Sequence, residues 1–281
     1  MFLKPRTLRK SSGLSLVELM AVVAIIGVLL GLLLPAIQAS RESSRRSRCG
    51  DNLKGYAFAV KAYEQRMAKF PPASTSNPKA RHGLVPFIVG DLDGAGFGGE
   101  YDFKVSWNDA ANSAAINQDI PVLICPDSPE VRQQVTDYVP APSVSGTLFQ
   151  PLIAKGYLTM RSQWLSILQP DVRLVNTASV RDGLSRSFMV FEVAGRPTMY
   201  RAGEKLGGNH EGAHWASDGS STNIRRICNE RQIVNCENIF GVYSFHPDGC
   251  NYAYGDGAVR YHTIDMSPEA WMSLFTMAAG D

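Results

Sequence analysis

The chain has little excess charge of either sign: 28 Lys and Arg against 26 Asp and Glu give a net charge of +2 over 281 residues. No Lys/Arg run interleaved with aromatics occurs in the body, so a nucleic-acid partner is not expected. There is no C-x-x-C among the five cysteines at 49, 125, 228, 236 and 250, which removes the common thioredoxin-like and zinc-ribbon spacings. No phosphate-cradling glycine loop is found, nor a Ser or Cys nucleophile on a recognisable strand-to-helix elbow, so the sequence does not read as an enzyme and no cofactor is called for. With 44% apolar and 19% charged residues, the composition excludes a disordered chain and supports a sizeable core.

Acidic residues are absent from the first thirteen positions, where Lys4, Arg6, Arg9 and Lys10 make a basic leader ending at Gly13. Leu14 to Ile37 follows as an apolar run of 24 residues whose only charge is Glu18. That exceeds the roughly 20 residues needed to cross a bilayer as a helix. A secretory signal peptide has a shorter apolar core and a small-x-small site after it, whereas Gly13 precedes this run, so the run would be retained. An ionised Glu18 inside a span needs a partner. Cleavage after Gly13 would supply one, because the new α-amino group of Leu14 lies one helical turn away, or a neighbouring copy could offer its own. Arg41, Arg45, Arg46 and Arg48 balance the four basic leader residues, so charge alone leaves the membrane orientation open.

Beyond Pro35 the helical pattern continues, with Cys49, Leu53, Tyr56, Val60, Tyr63 and Met67 on one face, and it predicts a helix to about Phe70, stopped by Pro71-Pro72. Loops are expected to dominate residues 73–120. Asp91-x-Asp93-Gly94 superficially resembles a calcium loop but lacks the later ligands and closing Glu. Ser187–Val193 and Gly241–His246 read as strands, and residues 251–262 as a hairpin turning at Gly255-Asp256-Gly257. Ser267-Pro268-Glu269 opens a short helix carrying Trp271, Leu274 and Phe275. The division that follows is a leader 1–13, a transmembrane helix 14–37, its extension 38–70 and a globular domain 71–281, of α+β class with an antiparallel sheet.

The anchor would place the cysteines outside the cytosol, where disulfides are the default. Cys228 to Cys236 would close a short loop and Cys49 to Cys125 would tie the long helix to the body, with Cys250 left over; other connectivities stay open. A zinc site of Cys228, Cys236, His246 and Cys250 is the competing arrangement, although its spacings match no common zinc knuckle. His210-Glu211-Gly212-Ala213-His214 satisfies H-E-x-x-H, in which a helix places two zinc-binding imidazoles on one face. Its glycine-rich flanks argue for a loop instead, and Glu230 or Glu237 would have to be the third ligand of an anchored metalloenzyme.

Gly13-Leu14-Ser15-Leu16-Val17-Glu18 resembles the type IV prepilin processing signal, with Leu14 where Phe is usual. The resemblance implies cleavage after Gly13 by prepilin peptidase, methylation of Leu14, Glu18 as the fifth mature residue and Pro35 at the position where pilin-like helices carry a kink. It further implies a single-pass bacterial inner-membrane protein with its body in the periplasm or envelope, partnered by lipid and by other pilin-like subunits through the N-terminal helix. Ser244-Phe-His-Pro-Asp-Gly-Cys-Asn-Tyr-Ala-Tyr-Gly-Asp-Gly-Ala-Val-Arg260 is similar to the H-x9-DG segment of the family called domain of unknown function 1559. Arg45–Lys54, Cys125-Pro126-Asp127, Arg181–Ser185 and Glu192–Pro197 agree with that family. Within the segment, His246, Asp256 and Gly257 are expected to be structural, the imidazole and carboxylate pinning a hairpin turn. A pilin-like fold and a pseudopilin role are what the two resemblances together imply.

Overall fold

The computed structural model describes residues 15–92, 96–97 and 99–280. The chain divides into two compact units, Met1–Ser44 and Arg45–Asp281. Helix α1 runs Leu16–Met67. In the first unit its side chains are exposed, including Leu16, Ile25, Leu29 and Leu33, and the stretch is long and apolar enough to cross a membrane. Leu16 to Ile37 rises roughly 33 Å at 1.5 Å per residue, which matches a hydrocarbon core of about 30 Å. Pro35 lies inside α1 and has no N–H to give the carbonyl of Gly31.

In the second unit the same helix buries Cys49, Leu53, Tyr56, Ala57, Ala59 and Val60; of the face that the spacing marked out, Tyr63 is only half-buried and Met67 is exposed. The helix ends three residues before the expected Phe70, because Ala68 already adopts a left-handed φ of 55°. Two four-residue turns of helix, α2 (Val85–Ile88) and α3 (Ser113–Ile116), interrupt the loop-rich segment that follows, and α4 spans Gly146–Ala154.

The body is built on a four-stranded antiparallel sheet in the order β1 (Tyr138–Val139), β2 (Phe188–Glu192), β5 (Gly249–Tyr254), β6 (Val259–Thr263). β3 (Thr198–Arg201) and β4 (Glu204–Asn209) form a separate hairpin. The two central strands, β2 and β5, are buried throughout and face two cores, with a register shift in their pairing between Phe188 and Val190 that breaks the strict alternation along β2. Val190 and Ala253 join the cluster containing Leu53, Tyr56 and Val60 of α1. Phe188, Phe191, Tyr252 and Tyr254 join Trp271 and Phe275 of α5 (Pro268–Phe275). Ser267 caps α5 by accepting from the Ala270 N–H, with Pro268 at its first helical position.

One strand expectation is corrected and the hairpin turn is as expected. Gly241–His246 is not a strand; only Val242 and Tyr243 make isolated bridges, to Val234 and Val193. The hairpin turns through the three expected residues Gly255–Gly257, with the Tyr254 N–H donating to the Ala258 carbonyl and the Gly257 N–H donating to the Tyr254 carbonyl, both at 2.9 Å. Only Gly257 there has a positive φ, of 90°; Gly255 is closely packed, and a Cβ there would meet the side-chain ends of Ile167 and Leu184 at 2.6 and 2.9 Å, which would have to shift.

Candidate functional site

Gly13 and Leu14 lie outside the described residues. Immediately after them, Ser15 and Glu18 cap α1 reciprocally: the Ser15 N–H donates to Glu18 Oε2 at 2.8 Å and the Glu18 N–H donates to Ser15 Oγ at 3.3 Å. This is the capping box S-x-x-E, which satisfies two of the helix's orphan donors. The pattern was legible in Ser15-Leu-Val-Glu18 but was overlooked, the acid having been considered only as the partner of a new amine. One carboxylate oxygen holds the cap, so the other is available to a second donor.

The second site lies in the body, around His246. The bond between Cys49 and Cys125 joins α1 to the loop at residue 125, and Cys228 is bonded to Cys236. Cys250 is free and buried; burial, with the neighbouring Glu192 carboxylate, holds its thiol well above the ordinary thiol range. His246 is buried against the Cys49–Cys125 bridge: its Nε2 lies 3.8 Å from Cys125 Sγ and 3.7 Å from Glu192 Oε1, while its Nδ1 lies 3.2 Å from Asp127 Oδ2. Asp127 is also ion-paired with Arg45. Burial pushes the Glu192 carboxyl upward, opposed by the charge of His246 and the hydrogen bonds from Asn251.

The H-x9-DG residues therefore do separate work. Asp256 sits on the exposed turn, where its Oδ1 accepts from the Ala258 N–H at 2.9 Å, and Gly257 supplies the left-handed residue of that turn. His246 packs instead between Asp127 and Glu192, so the expectation that its imidazole pins the turn is corrected. Asp127 and Glu192 were missed as site residues; the signal was their place in the family-like stretches Cys125-Pro-Asp and Glu192–Pro197.

His210 and His214 do not share a helical face. Residues Glu211–Ala213 form a single 3-10 turn, and each imidazole Nδ1 accepts a backbone N–H two residues on, from Gly212 and from Ala216, both at 3.0 Å. Burial pushes both rings down to about 4. Glu237, named as a third ligand, is buried between Arg201 and Arg226 at 3.0 and 3.4 Å, and Glu230 pairs with Lys155 at 3.1 Å. Nothing in this geometry assembles a zincin.

An apolar helix with an exposed N-terminal stretch, followed by an α+β body on an antiparallel sheet, is the pilin-like architecture and fits a membrane-anchored protein. The chain belongs to the family described as Protein of unknown function (DUF1559), which matches residues 38–269. Residues 8–34 match the Prokaryotic N-terminal methylation motif, the prepilin-type signal, which implies processing by prepilin peptidase and places the protein with pilin-like subunits. No curated protein and no solved structure matches the chain.

Proposed function

We propose that the chain is a pseudopilin: a precursor cut after Gly13, retained in the bacterial inner membrane through Leu14–Ile37, with residues 71–281 displayed on the periplasmic or envelope side. Copies associate through their N-terminal helices into a pilus-like or type II secretion pseudopilus assembly. The observation that carries this reading is the coincidence of the methylation-motif match at 8–34 with an exposed apolar stretch of α1, up to Ile37, whose single acid is Glu18. In lipid, apolar helices gain little from hiding apolar surface, so association depends on packing and on polar contacts. A carboxylate one turn from a newly freed amine, or beside the amine of the next copy, supplies such a contact at low dielectric. Methylation of the Leu14 amine leaves its charge in place.

Two differently tagged copies expressed together and extracted in mild detergent test the assembly. The expected result is co-isolation, lost on Glu18→Val while both copies remain in the membrane. Copies that never co-isolate, even after chemical crosslinking in intact cells, would reduce the protein to a solitary anchored one.

A further inference from the structure

Cys49, Cys125, Glu192 and His246 each place one donor atom within 4.8 Å of all the others, and all four residues are buried. The orientation of each donor is fixed from outside the cluster. Asp127 lies on His246 Nδ1 at 3.2 Å and turns Nε2 toward the sulfurs and Glu192, the carboxylate–imidazole arrangement that sets the tautomer of a metal-binding histidine. Glu192 Oε2 accepts from the Asn251 N–H and Nδ2 at 2.7 and 3.3 Å, whereas Oε1 is buried without a hydrogen-bond partner, 3.7 Å from His246 Nε2. A buried carboxylate oxygen left unsatisfied is rare and points to a missing partner. Both cysteine backbones are held independently of the sulfur bridge: Tyr138 Oη donates to the Cys49 carbonyl at 3.0 Å, and the Cys125 N–H donates to Asp137 Oδ2 at 2.9 Å.

We propose that, with the Cys49–Cys125 bridge reduced, Cys49, Cys125, His246 and Glu192 hold a thiophilic divalent cation of the zinc class. A dithiol reductant supplies two electrons and two protons; the S–S bond breaks to give two thiols, and the reductant becomes its own disulfide. Binding of the cation then releases two protons to solvent as both sulfurs become thiolate ligands. Bonds of about 2.0–2.3 Å in a tetrahedral site put ligand atoms roughly 3.3–3.8 Å apart. The imidazole already stands 3.7 and 3.8 Å from the carboxylate and Cys125 Sγ. The main movement is the parting of the two sulfurs, once their bond is broken, to about 3.8 Å. Bonded sulfurs cannot serve as thiolates, so the disulfide and the cation are alternative fastenings of α1 to the same loop.

The test uses the full chain in detergent, reduced with a phosphine, desalted without oxygen and titrated with Co²⁺. The expected result is one cobalt per chain, with thiolate charge-transfer absorption and the strong visible bands of four-coordinate cobalt, and none in the oxidised chain. The spectrum persists in Cys228→Ser/Cys236→Ser, disappears in Cys49→Ser/Cys125→Ser, and loses affinity by about tenfold or more in Glu192→Gln and His246→Ala. The proposal is overturned if the reduced, folded chain binds no cobalt, or if binding survives in Cys49→Ser/Cys125→Ser or follows Cys228 and Cys236. It is equally overturned if reduction unfolds the body and cobalt does not restore its near-ultraviolet circular dichroism.

Discussion

The two disulfides close loops of very different length, so their removal should destabilise the body unequally. Cys49 and Cys125 are 76 residues apart in sequence, Cys228 and Cys236 only 8. Restricting the unfolded chain scales with the logarithm of loop length, which gives about 4.5 kcal/mol for the long loop and about 2.5 kcal/mol for the short one. The variants are Cys49→Ala/Cys125→Ala and Cys228→Ala/Cys236→Ala, each unfolded in urea in the same detergent as the parent and followed by tryptophan fluorescence. Trp215 and Trp271 are fully buried and belong to different clusters of the core, so their emission reports the whole body. The long-loop variant should be the less stable by about 2 kcal/mol. Mild reduction of the parent should open Cys228–Cys236 first, since Cys49 and Cys125 are buried and Cys228 is partly exposed. Equal losses, or a larger loss from the short loop, would refute the loop-entropy reasoning and mean that local contacts decide.

Trp271 stacks on Phe275 at 5.1 Å, lies 5.8 Å from Phe188 and donates its Nε1–H to Tyr252 Oη at 3.0 Å; Trp271→Ala should destabilise by about 3–5 kcal/mol in the same urea assay, and a loss below 1 kcal/mol would contradict its place in the core. His210 and His214 are held down to about 4 by burial, while unfolded histidines take up protons near 6.5. The unfolded chain therefore binds more protons across this window, so the stability is intact above about 6.5 and lost as the pH falls toward about 4. His214→Gln should flatten that slope in thermal melts, and an unchanged slope would reject the assignment. Cys250, buried and with its thiol pushed up, should resist alkylation in the native, unreduced chain and give one reactive thiol per chain in denaturant; rapid native labelling would show that the site opens.

Much of the architecture was legible because its signals are local and periodic. The buried face of α1 follows from the spacing Cys49, Leu53, Tyr56, Val60, and α5 from Ser267-Pro268. β2 and β5 read as strands from their aromatic and branched residues. Gly241–His246 carries the same composition yet forms only two bridges, because strand formation there depends on partners that composition does not reveal. The end of α1 came early for a similar reason: Ala68 adopts a left-handed conformation before Pro71 is reached. At the site, Glu18 and the cysteines stood out as chemical anomalies in their segments. Asp127 and Glu192 did not: their place in the family-like stretches marks the segments, but only folding brings the two carboxylates within 4 Å of His246. Conversely, H-E-x-x-H was conspicuous in sequence, but Gly212 and the glycine-rich flanks prevent the helix that would give it meaning.

The central claim is a retained apolar helix exposed by removal of a basic leader. The most direct measurement is the intact and N-terminal peptide mass of the protein extracted from membranes of its own cells. The mature chain is expected to begin at Leu14, with one methyl group on its amine, and substituting Gly13 is expected to block the conversion. A chain that still begins at Met1, or one recovered from the soluble fraction without residues 14–37, would contradict it.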